Sequence, residues 1–234
     1  MKFAILAAGE GSRLAQEGVE VPKPLVKLCG EAMIDRLIRI FNDCGAMDIY
    51  IITNNFTPLT QNHLRKLQEA DEKIHLIVKT TPSSMHSFYE LRQCMGDGKF
   101  CLTTVDTIFR EEDFRQYIAA WEASEDDGLM AVTDFIDDEK PLYISTDKEL
   151  TIQGFHDKEP QTYISGGIYG LDEKSFPVID KCIREGQSRM RNFQRQLVQD
   201  GLHLKAYPFS KILDVDHASD IEKAETFLSY KEQI

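Results

Sequence analysis

Up to residue 123, short continuous apolar runs alternate with segments of helical spacing, and few architectures accept that order. Residues 3–7, 48–53, 74–78 and 100–105 read as strands, the first of them apolar throughout as strands buried on both faces are. Residues 32–41 have helical spacing, with Met33, Leu37, Ile40 and Phe41 on one face and Gly45 as a stop. Helices are also expected at about 59–70, 84–95 and 111–123. Alternation of this kind calls for right-handed crossovers and a mainly parallel sheet.

The rhythm then changes. Residues 129–133, 142–145, 150–155 and 163–169 are short strand candidates separated by turns, which predicts an antiparallel patch added to the sheet. Helices return at about 173–185 and 190–200, followed by a strand near 203–207 and a last helix at about 219–230. No linker, repeat or low-complexity tract interrupts the 234 residues, so one α/β domain is expected over 1–234.

Charge and cysteine usage exclude several classes. Acidic residues outnumber basic ones by 39 to 27, for a net charge of −12, a field that repels nucleic acid and anionic membrane. A small phosphorylated ligand is compatible with it if basic groups or a metal offset the field locally. Five scattered cysteines without a CxxC pair read as reduced thiols of a cytoplasmic protein. The apolar run at 3–8 is too short for a signal peptide, and nothing approaches the length of a membrane span.

The first strand runs directly into Leu6-Ala7-Ala8-Gly9-Glu10-Gly11-Ser12-Arg13-Leu14. Two glycines preceded by alanines let backbone N–H groups approach a phosphate, and Arg13 adds a charge-assisted contact. A dinucleotide-binding turn would need a third glycine and an acidic residue ending the second strand, but position 14 is Leu and the strand ends in Thr53-Asn54-Asn55. A Walker loop would need GKS or GKT, which is absent. Pro22-Lys23-Pro24-Leu25 follows, and two prolines flanking a lysine predict an extended segment that holds Lys23 as a fixed positive point over a triphosphate.

The glycine-arginine loop followed by Pro22-Lys23-Pro24-Leu25 resembles the opening of the sugar-phosphate nucleotidyltransferase family. The resemblance implies a three-layer αβα Rossmann-like sandwich with a mixed, mainly parallel central sheet, its nucleotide half at about 1–110 and its acceptor half at about 111–234. It also implies that Leu6, Ala7, Ala8, Gly9, Gly11, Arg13 and Lys23 hold the nucleotide, with Lys23 offsetting charge at the reacting phosphate.

Nucleotidyl transfer gathers negative charge on phosphorus and on departing pyrophosphate, and a divalent ion held by carboxylates at strand ends is the usual remedy. Asp106 ends the strand at 100–105 and suits this role for Mg2+. The second carboxylate is expected from Ile212-Leu213-Asp214-Val215-Asp216, where Asp214 and Asp216 alternate and point to opposite sides, so that one of them faces the metal. Asp216 is preferred by its distance from Ile221, with Asp214 the alternative. Asp220 reads as an acidic first-turn residue of the last helix. Where the family commonly has glycine before the first aspartate, Val105 stands here.

On the acceptor side, Tyr163-Ile164-Ser165-Gly166-Gly167 resembles the family's pocket-lining strand, whose small residues leave room for a ring. Lys158 resembles the lysine of the acceptor-phosphate loop, with one extra residue before Pro160. Residues 82–87 lack the glycine-threonine-alanine element that many sugar-nucleotide members carry, and their serines read either as a helix cap or as ligands. Arg189, Arg191 and Arg195 are the one dense basic cluster.

Together these features imply an Mg-dependent enzyme that transfers a nucleoside monophosphate from a nucleoside triphosphate to a small phosphorylated acceptor. A sugar 1-phosphate is the first acceptor and phosphocholine the alternative. A non-catalytic nucleotide or sugar-phosphate sensor is a rival of another class, and a homo-oligomer is left open.

Overall fold

A computed structural model describes residues 1–137 and 139–230. The first half contains β1 (Lys2–Ala7), α1 (Ser12–Gln16), β2 (Lys27–Leu28), β3 (Glu31–Ala32), α2 (Met33–Asp43), β4 (Asp48–Thr53), α3 (Pro58–Ala70), β5 (Ile74–Val78), α4 (Ser84–Met95), β6 (Phe100–Thr104), β7 (Thr107–Phe109) and α5 (Glu111–Ala123). The second half contains β8 (Gly128–Thr133), β9 (Tyr143–Thr146), β10 (Ile152–His156), β11 (Tyr163–Leu171), α6 (Ser175–Arg184), α7 (Met190–Gln199), β12 (Leu204–Pro208), β13 (Ile212–Asp214) and α8 (Ala218–Ser229).

Among the described residues, nine strands form one sheet in the order β10-β9-β11-β6-β1-β4-β5, with β8 on β11 and β12 on β8. The pairs β6–β1, β1–β4 and β4–β5 are parallel, as the crossovers demand. Strand β11 runs antiparallel to β6, β8 and β9, so the sheet is mixed. β1 shows why helices cover both faces. Phe3, Ile5 and Ala7 enter one cluster with residues of α2 and α5, while Ala4 and Leu6 enter the other with α4, α6 and α7. A strand with no polar face has to be covered twice. The result is the three-layer αβα sandwich with a mixed central sheet. Both clusters draw residues from either side of position 110.

A third, smaller cluster lies beneath the loop after β1. It joins Leu14 of α1, Leu28, Met33, Ile108, Leu213 and Phe227 of α8. It is built partly on elements that local patterning did not predict: α1, the β2–β3 pair, and the antiparallel ribbon of β7 with β13. The ribbon's base is anchored by Phe109, which stacks on Phe114 at 4.8 Å and gives its carbonyl to buried Arg36 Nη2 at 2.6 Å.

Local chemistry accounts for the helix starts. Pro58 opens α3, where its missing N–H costs nothing. Ser83 Oγ accepts from the His86 amide and caps α4. Glu111, Glu112 and Asp113 place negative charge in the first turn of α5.

Candidate active site

The carboxyl ends of β1, β4 and β6 lie side by side, and the sequence-predicted nucleotide residues gather there. After Ala7 the chain leaves the sheet, and Gly11 (φ +63°) turns it into α1. A Cβ at Gly11 would lie 2.9 Å from the Lys23 Cβ, so glycine serves both the left-handed backbone and the close approach of Lys23. Gly9 has nothing within 4 Å of its would-be Cβ and faces the open cleft. The loop is held from beneath by buried Asn54, whose Nδ2 donates to the carbonyls of Ala8 at 3.1 Å and Gly9 at 3.2 Å. In the sequence Asn54 speaks only against a dinucleotide site. An amide at the end of the neighbouring strand was the available signal.

Lys23 is not in an extended segment as expected. Lys23–Leu25 forms a single 3-10 turn, with Leu25 N–H donating to Pro22 O at 2.8 Å and Val26 N–H to Lys23 O at 3.2 Å. Proline's fixed φ serves such a turn as well as it serves an extended strand. The turn carries the lysine inward until its side chain is only 11% exposed, and its Nζ sits between Asp106 Oδ2 and Asp216 Oδ1, the latter at 2.7 Å. Burial works against the ammonium, but the Asp106 and Asp216 carboxylates outweigh it and raise its pKa. For Asp216, burial pushes the carboxyl up, while Lys23 and Arg13 more than reverse this and hold it below its usual value. Arg13 Nη1 reaches Asp216 Oδ2 at 3.0 Å.

Asp106 and Asp216 are 110 positions apart in sequence, and the ribbon brings them together. Asp214 pairs with Thr107 in the β13–β7 register, and Val215 N–H donates to the Asp106 carbonyl at 3.1 Å. Just beyond the ribbon, Asp216 turns toward Lys23. Asp214, still within the ribbon, instead accepts from Thr107 Oγ1 at 3.3 Å. Asp220 Oδ2 accepts the Asp216 amide at 3.2 Å and the His217 amide at 2.8 Å, so its part is to cap α8.

Two cavities meet at this point. One of about 510 Å³ lies between the glycine loop and the start of α4, where Thr81, Ser83, Ser84 and Ser87 face it. The other, of about 390 Å³, lies between β11 and the start of α8. Arg13 and Asp216 line both. Each volume suits a small metabolite or a nucleotide moiety.

The acceptor-side residues separate. Ser165 and Gly166 line the smaller cavity, and Ser165 Oγ donates to Gln194 Oε1 at 2.8 Å. The two glycines have packing reasons of their own. A Cβ at Gly166 would fall 2.2 Å from Ile212 Cδ1, and one at Gly167 (φ +74°), where the register of β11 shifts, would fall 2.8 Å from Thr107 Oγ1. Lys158 stands on the exposed turn after β10, outside the lining of both cavities. The cations that line the smaller cavity are Arg13, Lys140, Arg191 and Lys223. Arg191 and Arg195 clamp Asp157, each at 2.6 Å, and so tether the Lys158 turn to α7. Arg189 is exposed and its amide donates to Ser83 Oγ at 3.4 Å.

Among the described residues no group of three or more His, Cys, Asp or Glu is arranged to hold a metal. Asp106 and Asp216 converge as a pair of hard oxygen donors on the Lys23 ammonium. No helix among the described residues is long and apolar enough to cross a membrane.

Comparison with known proteins agrees with this fold. The chain is 27% identical over 241 residues to the bifunctional IPC transferase and DIPP synthase of Aquifex aeolicus (strain VF5), a match covering 96% of this chain and 51% of the relative. The match spans about half the length, or less, of these curated relatives. A structure described as a glucose-1-phosphate thymidylyltransferase from Bacillus anthracis superposes with a TM-score of 0.85 at 21% identity, over 100% of this chain and 98% of that one. The CTP:phosphocholine cytidylyltransferase of Streptococcus pneumoniae superposes with a TM-score of 0.79 at 20% identity, over 97% and 98%. At such identities the structural likeness shows the fold alone. The model of the nucleotidyl transferase family matches residues 2–231, nearly the whole chain, and this protein therefore belongs to that family.

Proposed function

We propose that the chain transfers a nucleoside monophosphate from a nucleoside triphosphate to a small phosphorylated acceptor and releases pyrophosphate. The observation that carries this reading is the convergence of Asp106 and Asp216 on one buried ammonium where two cavities meet. The triphosphate lies along the glycine loop, with backbone N–H groups of residues 9–12 and the Arg13 guanidinium facing its oxygens. Its base extends toward the hydroxyls of Thr81, Ser83 and Ser84, and the acceptor enters from the smaller cavity. The acceptor's phosphate oxygen attacks the α-phosphorus in line, so no protein nucleophile is needed. Positioning and charge neutralisation supply the rate.

Asp106 and Asp216 fit a magnesium ion. They are hard oxygen donors, and the Lys23 ammonium stands between them as a cation of the structure's own. When bound there, the ion would neutralise charge on the α-phosphate and the leaving group. With the two carboxylates so engaged, Lys23 would face the phosphate oxygens as a fixed positive charge.

For the acceptor, a polyhydroxylated phosphate such as a sugar 1-phosphate stands first. Asp137, Glu139 and Asp214 line the smaller cavity and present carboxylates that accept from hydroxyls. Phosphocholine is the alternative, but the aromatic face it would seek, Phe135, already carries Lys211 Nζ at 3.8 Å from the ring centroid. All five cysteines are free, in keeping with the reducing cytoplasm we assign to it.

Pyrophosphate release across four nucleoside triphosphates and a set of acceptor phosphates tests the reading. Release with one pair in magnesium, abolished by EDTA, is expected. Nucleotide binding without release under any pair would instead identify a sensor.

A further inference from the structure

The short helix α1 grips the start of α8 at two points. Arg13 and Glu17, four residues apart and on one face, both reach across to it. Arg13 Nη1 donates to Asp216 Oδ2 at 3.0 Å. Glu17 Oε1 lies 2.6 Å from His217 Nδ1, and Glu17 Oε2 accepts the Ala218 amide at 2.6 Å. The Glu17 carboxylate thus completes, from some 200 residues away, the cap that Asp220 begins on the Asp216 and His217 amides.

We propose that Glu17 is a positioning residue that latches the helix behind the phosphate loop to the turn bearing Asp216, so that triphosphate binding and metal binding reinforce each other. The proposal rests on the function assigned above. Among the described residues, three charged side chains connect the segment after β1 to that turn: Arg13, Lys23 and Glu17. Arg13 and Lys23 line the nucleotide cavity and are the groups that incoming phosphate oxygens compete for. Glu17 lines neither cavity. Once phosphate has drawn Arg13 and Lys23 away, Glu17 is the charged side chain of this segment still holding the turn, above the apolar packing of Leu14 on Leu213 and Val215. It keeps Asp216 in place at the moment its carboxylate loses two cationic partners and takes on the metal. Gly11 strengthens the link, since its missing Cβ lets the loop pack directly on Lys23. Coupling of this kind is reciprocal for the two ligands.

The test compares wild type with Glu17→Ala and Glu17→Gln. Ligand-free amide exchange over residues 215–218 reads the latch itself, and Mn2+ binding with and without a non-hydrolysable triphosphate reads the coupling. Magnesium titration of pyrophosphate release reads its consequence. In Glu17→Ala the Ala218 amide exchanges about tenfold faster, and half-maximal rate requires about tenfold more magnesium, a coupling in the usual range. The triphosphate KM at saturating magnesium stays within about twofold, because Glu17 makes no contact in the nucleotide cavity. Glu17→Gln, whose amide oxygen still accepts from Ala218, falls between the two. Unchanged magnesium dependence in an active Glu17→Ala enzyme overturns the latch, as does a uniform fall in kcat with no change in metal requirement. A wild type that binds no triphosphate with metal overturns the proposed function and the coupling with it, and the wild-type measurement alone tells that outcome apart.

Discussion

Lys23→Met removes one cation from two carboxylates while keeping most of the apolar stem, so its effect is chiefly electrostatic. The Lys23 and Asp106 side chains are 11% and 20% exposed, so their pair is closer to a buried than to a surface ion pair. Breaking a buried pair costs about 3–5 kcal/mol, whereas an exposed pair is worth about 0–1 kcal/mol. Asp216 is 45% exposed and keeps Arg13, so its share is small. The net expectation is a loss of about 2–3 kcal/mol in EDTA at neutral pH, between those two limits. For a chain of this length that lowers Tm by roughly 5–10 °C. Magnesium offsets the loss, because an ion at about 100 times its Kd returns about 2.7 kcal/mol. Thermal denaturation of both proteins in EDTA and in excess magnesium checks this. The gain from magnesium should be larger in the variant, which has no ammonium to displace. If Lys23→Met melts within about 1 °C of wild type in EDTA, less than a kcal/mol is at stake and the reasoning about this ion pair is wrong.

Asp106→Asn should reduce turnover by about 100-fold or more at saturating magnesium and nucleotide, in the range lost with one strong charge-stabilising group, and wild-type turnover would refute its role at the metal. Gly9→Ala and Gly11→Ala should part company. Gly9→Ala keeps the wild-type Tm and weakens nucleotide binding, since its Cβ meets only the open cleft, while Gly11→Ala loses about 1–2 kcal/mol to left-handed strain and also displaces Lys23. Calorimetry with nucleotide titration separates the two. Asp157 is held below the usual carboxylate range by hydrogen bonds from Arg195 and Arg191, which outweigh its desolvation. Its contribution is therefore present above its unfolded pKa near 3.9 and lost as pH falls through the lower folded value. The wild-type advantage in Tm over Asp157→Asn should be constant from about pH 8 to 5 and shrink below about pH 4, and a difference that grows on acidification would reverse the sign.

The regular elements were legible because each is encoded by neighbours in sequence. Periodicity placed the core helices within a residue or two, and the all-apolar run before Gly9 identified a central strand. The glycine loop and Asp106 were legible for the same reason, since both sit at strand ends. The β7–β13 ribbon was not. Its strands are three residues each and hold together only through pairing across about 100 positions, with Phe109 and Ile212 buried by the finished core. The two glycines of β11 also have packing roles. Gly166 makes way for Ile212 and Gly167 for a bulge, which sequence patterning alone does not separate from room for a ligand.

By itself, then, the sequence determined the layered α/β sandwich, the glycine loop after β1 and the carboxylate just beyond β6. All of these follow from patterns no longer than one element and its turn. Tertiary structure decided that Asp216 rather than Asp214 shares Lys23 with Asp106, that Lys158 stands away from the cavities, and that Glu17 caps a helix at the other end of the chain. Those outcomes depend on side-chain direction across contacts remote in sequence, and direction is set only when the core has closed around the turns that carry the charges.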